Sequence, residues 1–269
     1  MLEMFETEFM QRAWLAGLIV AVICPLIGSF LVLRRQSMIG DGLGHIAFAG
    51  VAGGALMGWQ PVLSAAAVTV LGALVIEWVR TRLAAFSEMI LAIFFYSGIG
   101  LAVVFTSMNR MGGFNLSSIL FGSLMTISSS DLWIVAGLGI FACIFVVLFY
   151  RPLQYLTFDE TSARVAGLPA DRLNMWLAVL TALTIVLGMR LMGAMLISSL
   201  VIFPALTAMR LLRSFRGVVL CAGAVSVVCF CAGLTGSYLW STPVGATVVL
   251  ADLAAFLLAC LLAKLKKRA

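Results

Sequence analysis

The stretch MIGDGLGHIAFAGVAGG, residues 38–54, is apolar enough to lie in a lipid bilayer, yet it holds an acid, Asp41, and the only histidine of the chain, His45. In a helix the two, four residues apart, share one face. Six glycines surround them. Such residues let a neighbouring helix approach closely or let the backbone unwind locally. The segment reads as a membrane-embedded helix carrying two polar groups of the kind that ligate a divalent cation.

The rest of the chain extends that reading. Of its 269 residues 63% are hydrophobic and 10% charged, and the mean hydropathy is +1.16. A soluble domain is nearer half apolar and a quarter charged. The fold class is therefore all-α, a polytopic integral membrane helical bundle, read as a single transmembrane domain over residues 1–269. A pI near 9.3 reflects loop charges and does not indicate a nucleic-acid partner. The N-terminal MLEMFETEF is acidic and precedes no small-residue cleavage site, so the first apolar run is read as a retained span. The six cysteines lie in or at the ends of apolar segments and form no CxxC. They read as small buried apolar residues, silent about redox compartment.

A span needs about 20 apolar residues. Runs near 13–33, 38–58, 62–79, 88–106, 132–150, 173–189, 191–209, 217–239 and 244–263 qualify, giving eight to nine spans. Leu116 to Ile127 is too short to cross and reads as a re-entrant or interfacial helix. Basic residues set the orientation. With the N-terminus outside and the C-terminus cytoplasmic, 14 basic residues fall inside and only Arg12, Arg110 and Arg190 outside, out of 17.

One inner loop, LQYLTFDETSARVAGLPADR, is long and polar. Thr157 with Glu160 has the form of a capping box. Gly167 suits a helix C′ position and Pro169 blocks continuation. A short helix near 158–166 at the cytoplasmic face follows, either a connector or a docking element for a cytoplasmic partner.

All three lysines fall in the last six residues, so no GxxxxGK[ST] phosphate loop can form. Nor is there a GxSxG or HExxH motif, and one histidine excludes a His-rich zinc site within one chain. Ionisable residues at membrane depth each need a reason. Glu77 precedes Arg80 by three and reads as an ion pair. Glu88 opens a span, Asp131 reads as a cap, and Asp252 needs a partner on another helix. Asp41 and His45 form either a structural hydrogen bond or a transient site for Zn²⁺ or Mn²⁺. Glu88, Asp252, Ser198 and Ser199, a second copy of the chain, or water would have to supply further ligands. The small residues of 192–209 read as tight packing, with Pro204 giving a kink.

The run FLVLRRQSMIGDGLGHIAFAGVAGG resembles the first signature of bacterial metal-ion ABC importer permeases, which move zinc, manganese or iron(II). SEMILAIFFYSGIGLAVV, FDETSARVAGL, LMGAMLISSLVIFPALTA and GSYLWSTPVGATVVL resemble four further signatures, in family order and over nearly the whole chain. The resemblance implies a multi-pass permease of the bacterial cell membrane that works as a homodimer. It also implies two copies of a separate ATPase and an extracytoplasmic metal-binding protein. It assigns Asp41 and His45 to the cation path, and the coupling role to Asp159, Glu160, Ala163 and Gly167. Many relatives carry a non-glycine residue at position 42 or 44, so glycine at both implies a looser backbone. The AFAGVAGG run is more like zinc than manganese permeases, which often have proline there. Asp41 near the cytoplasmic end of its span is shallower than a central site requires, so the span would start earlier or be re-entrant.

Two other classes stay open on the residues alone. An ion-coupled secondary transporter would use Asp41 and Asp252 as proton carriers. An intramembrane enzyme would need a nucleophile–base pair, which the sequence does not offer.

Overall fold

The long segments are apolar around their whole circumference, so each satisfies its backbone hydrogen bonds internally as a helix. The computed structural model describes residues 8–83, 86–108 and 128–266. In order these form α1 (Glu8–Leu33), α2 (Met38–Leu56), α3 (Pro61–Arg82), α4 (Ser87–Met108), α5 (Ser129–Leu148), α6 (Tyr150–Phe158), α7 (Glu160–Val165), α8 (Ala170–Met192), α9 (Ala194–Leu211), α10 (Phe215–Trp240) and α11 (Val244–Lys266). Among the described residues, nine helices are long and apolar enough to cross a membrane, all but α6 and α7. The piece read at 116–127 lies outside the described residues.

Local chemistry sets the ends. Pro61 occupies the first turn of α3, where its missing N–H costs nothing. Ser128 and Asp131 make a reciprocal capping box on α5. Gly193, at φ 88°, is the single residue between α8 and α9. α2 begins at Met38 and runs unbroken through Gly42 and Gly44. The expected earlier start or re-entrant course is therefore replaced by a regular helix with Asp41 in its first turn, where a carboxylate meets the positive end of the helix dipole. α9 likewise passes through Pro204 as one helix.

α2 sits inside the bundle, against α3, α4, α8 and α9, while α9, α10 and α11 pack together and α9 and α10 meet α1. Lipid offers no hydrophobic drive between helices, so close approach at small residues matters most. A Cβ on Gly28 of α1 would fall 2.0 Å from the Val201 carbonyl oxygen of α9. On α2, Gly50 lies against Ala65 of α3, and the Ser64 hydroxyl donates to the Gly50 carbonyl at 2.9 Å.

The loop between α5 and α8 holds two helices, not one. α6 buries Leu153 and Leu156, and the rings of Tyr150 and Phe158 pack on Phe215. The sequence reading also misplaced the cap of α7. Thr157 lies in the last turn of α6, and its hydroxyl donates to the Leu153 carbonyl at 2.6 Å. Asp159, with extended backbone, is the N-cap and accepts from the Ser162 N–H at 2.9 Å. A residue inside one helix cannot adopt the non-helical geometry needed to cap the next. Gly167 does close α7, at φ 80°. Its N–H reaches the Arg164 carbonyl and that of Leu168 the Ala163 carbonyl, a Schellman motif.

Arg34, Arg80 and Glu160 converge, so the ends of α1 and α3 and the α6–α7 segment lie at one end of the bundle. At the other end Arg190 of α8 donates to Asp131 of α5 at 2.6 Å.

Candidate functional site

On α2 almost every residue from Ile39 to Gly50 is buried; Asp41 and His45 are the half-buried exceptions. With exposed Met38 they form one strip along the helix. The His45 ring stands edge-on to Phe95 of α4, with centroids 4.6 Å apart. Beneath it α4 comes close because residue 98 is glycine: an added Cβ would lie 2.9 Å from the His45 carbonyl carbon. Gly42 and Gly44 answer no such demand. The nearest atom to a Cβ at 42 is 3.8 Å away, and at 44 nothing lies within 4 Å.

Among the described residues Asp41 and His45 have no hydrogen-bond partner, and no group of three or more His, Cys, Asp or Glu could hold a metal ion. One chain thus presents a carboxylate and an imidazole one turn apart, open on one side. The remaining candidates are distributed as follows. Glu88 lies in the first turn of α4, and its side chain is outside the described residues. Asp252 of α11 is fully buried and takes a hydrogen bond from Ser199 of α9 at 3.0 Å. This is the partner on another helix that a carboxylate at that depth needs. Ser198, its half-buried neighbour, shows no such bond. α11 packs on α9 and α10, so Asp252 belongs to a different part of the bundle from the α2 strip.

The coupling residues assigned by resemblance fall into two kinds. Ala163 is buried, and Asp159 and Gly167 shape the two ends of α7. Glu160 turns inward. Its Oε2 accepts from Arg80 at 3.1 Å, and its Oε1 from Arg164 at 2.8 Å and from the Asn174 amide at 3.2 Å. Arg80 also forks onto Glu77 at 2.6 and 2.9 Å, the ion pair expected from their spacing. Phe158, Thr161 and above all Val165, 85% exposed, face outward together with Asp159 and Gly167, while Ala163 and Glu160 turn in. The sequence reading missed Phe158 and Val165, large exposed apolar residues of a loop whose Leu153 and Leu156 are buried.

Electrostatics fit this division. Burial works to raise the Glu160 carboxyl, but Arg164 and Arg80 outweigh it and hold the group below the ordinary glutamate range. The Ser162 hydroxyl and N–H hold Asp159 low as well. Arg34 is half-buried, and desolvation followed by the nearby Arg80 charge brings its guanidinium down to about 10, still a cation at neutral pH.

Nine candidate spans among the described residues, an open acid–imidazole strip and a short helix with an exposed face fit a membrane transport subunit. The chain belongs to the ABC 3 transport family, whose model matches residues 6–263, the family of metal-transport permeases that its five motifs resemble. It is 32% identical over 256 residues to the high-affinity zinc uptake system membrane protein ZnuB of Haemophilus influenzae, covering 95% of this chain and 97% of that one. It is 31% identical over 258 residues to the manganese transport system membrane protein MntC of Halalkalibacterium halodurans, covering 96% and 88%. Among solved structures, a chain of PsaBC from Streptococcus pneumoniae, in complex with Fab, superposes with a TM-score of 0.83 at 25% identity, covering 95% of this chain and 92% of that chain.

Proposed function

We propose that this chain is the membrane-spanning half of an ATP-driven importer for a divalent transition-metal ion, zinc in preference to manganese or iron(II). The observation that carries the reading is the Asp41–His45 strip, the open acid–imidazole pair on a helix otherwise enclosed by its neighbours. A second copy related by two-fold symmetry would bring a like pair to the same ion, completing four protein ligands of oxygen and nitrogen, a set that suits zinc or manganese. A transport site must also release its ion, and a shell assembled from two movable halves does so more readily than a closed cage.

A cytoplasmic ATPase, two copies per assembly, would bind the Phe158–Thr161–Val165 surface. An extracytoplasmic protein would deliver the ion at the other end of the bundle. The basic-residue asymmetry puts the Arg34–Arg80–Glu160 end in the cytoplasm, the N-terminus outside and the C-terminus inside. The zinc preference rests on the resemblance of the run after His45 and on the imidazole.

The test is uptake of Zn²⁺ and Mn²⁺ into vesicles holding the permease and its ATPase, with and without ATP and the binding protein. Uptake that needs both additions, and favours zinc, supports the reading. Metal flux driven by a proton gradient without ATP would replace it with a secondary transporter.

A further inference from the structure

A continuous line of hydrogen bonds joins the coupling helix to the end of α2 that carries Asp41. Glu160 on α7 accepts from Asn174 Nδ2 at 3.2 Å, and Asn174 Oδ1 accepts from Arg34 Nη1 at 2.6 Å. The amide orientation is forced. A carboxylate only accepts and a guanidinium only donates, so a side chain bridging the two must do both, and asparagine does. Arg34 lies in the short turn between α1 and α2, and that turn is tied on both sides. The Gln36 N–H reaches the Leu31 carbonyl at 2.9 Å, and the Gln36 carbonyl accepts from Ile39 in the first turn of α2 at 3.1 Å. A displacement of Arg34 therefore reaches Asp41 through bonded backbone.

A second arm runs beside the first. Glu160 also holds Arg80, which is locked to Glu77 on α3, the helix that packs against α2 at Gly50. Between the arms is a small cavity lined by Arg34, Glu77 and Asn174 and by Ile39 and Leu43 of α2. Arg34 Nη2 is buried beside it with no partner among the described residues. The start of α2, through Ile39 and Leu43, thus borders the same cavity as the charged cluster.

We propose that Asn174 and Arg34 are positioning residues that transmit movement of the α7 coupling helix to the Asp41 end of α2. The inference rests on the transport reading above and deepens it. An ATPase that pulls on the exposed face of α7 moves Glu160 relative to α8. Asn174 and Arg34 then carry that motion into the α1–α2 turn and alter the opening beside Asp41.

The test uses the permease–ATPase complex in vesicles with its binding protein and Zn²⁺, reading ions transported per ATP hydrolysed. Asn174→Asp keeps the shape and the acceptor for Arg34 but sets a carboxylate against Glu160. The ratio should fall about tenfold, within the range for residues on a coupling route, while hydrolysis and assembly persist. Adding Glu160→Gln restores a donor–acceptor pair with its polarity reversed, and the ratio should recover most of that loss. An unchanged ratio in Asn174→Asp would overturn the proposal. So would hydrolysis and uptake falling together with the melting temperature and no recovery in the double variant.

A second measurement needs no metal. Amide exchange over residues 34–45 of the complex should respond to ATP with vanadate in the unaltered chain and not in Asn174→Asp. An equal response in both would also overturn the link. If the unaltered complex takes up no metal yet shows the Asn174-dependent response, the link stands and the transport reading fails.

Discussion

Gly98 of α4 lies against the main chain of His45, so close that a methyl group in place of its hydrogen would fall 2.9 Å from the histidine carbonyl carbon and from the Ile46 nitrogen. The contact is backbone, so no side chain can turn aside to relieve it. His45 is therefore held from below by α4 as well as from the side by Phe95.

Gly98→Ala should force α4 away from α2 at a cost of about 1–3 kcal/mol, the usual range for overpacking, and should reduce metal uptake. Gly44→Ala meets nothing within 4 Å and should raise stability by up to about 1 kcal/mol, the helix-propensity gain, with uptake retained. Melting temperatures in detergent and uptake in vesicles check both. Equal loss of uptake in the two variants would show that glycine flexibility, rather than the α2–α4 contact, sets the requirement.

Asp41→Asn removes charge at constant size, and His45→Ala removes the imidazole. Each should sharply reduce uptake at limiting metal while the protein inserts and co-purifies with its ATPase. The double variant should be little worse than the worse single one, because ligands of one site do not act independently. His45→Ala also gives up the edge contact with Phe95, about 0.5–1.5 kcal/mol. Its melting temperature must therefore be read beside its uptake. Full uptake in well-folded His45→Ala would remove the residue from the cation path.

Gly167→Val places a β-branched residue at φ 80°, a backbone region such residues rarely occupy. The C-terminal cap of α7 should loosen at a cost of about 1–2 kcal/mol, and transport should uncouple from ATP hydrolysis. Val165→Asp, on the outward face, should instead weaken ATPase binding with the bundle's melting temperature unchanged. If both variants co-purify with the ATPase and transport normally, α7 is a connector and not a docking element.

Glu160 also predicts a pH response. Its carboxyl is lower in the folded chain than its ordinary value. Its stabilisation of α7 is thus complete above about pH 4.3, the unperturbed glutamate value, and is lost as pH falls through the folded pKa. Amide exchange in α7 should accelerate over that acid range in the unaltered protein. In Glu160→Gln it should be faster at neutral pH, and the acid dependence that remains is that of Asp159, whose carboxylate caps α7.

The spans, their ends to within a few residues, the polar loop and the pairing of Glu77 with Arg80 were legible along the chain. Each depends on residues a few positions apart: apolar runs long enough to cross, a glycine after a helix, an acid three residues before an arginine. Asp41 and His45 could be picked out the same way, as polar residues one helical turn apart in an apolar run. What surrounds them could not. Arg34 and Asn174 stand 140 positions apart, and Ser199 and Asp252 53 apart. No local pattern says that these side chains meet, because helices apolar all round can pack on any face. The tertiary structure chooses the faces, by bringing backbones together at Gly28, Gly50 and Gly98. Only then does Asp252 gain Ser199 and Glu160 gain Arg80 and Asn174, while Asp41 and His45 remain open on one side.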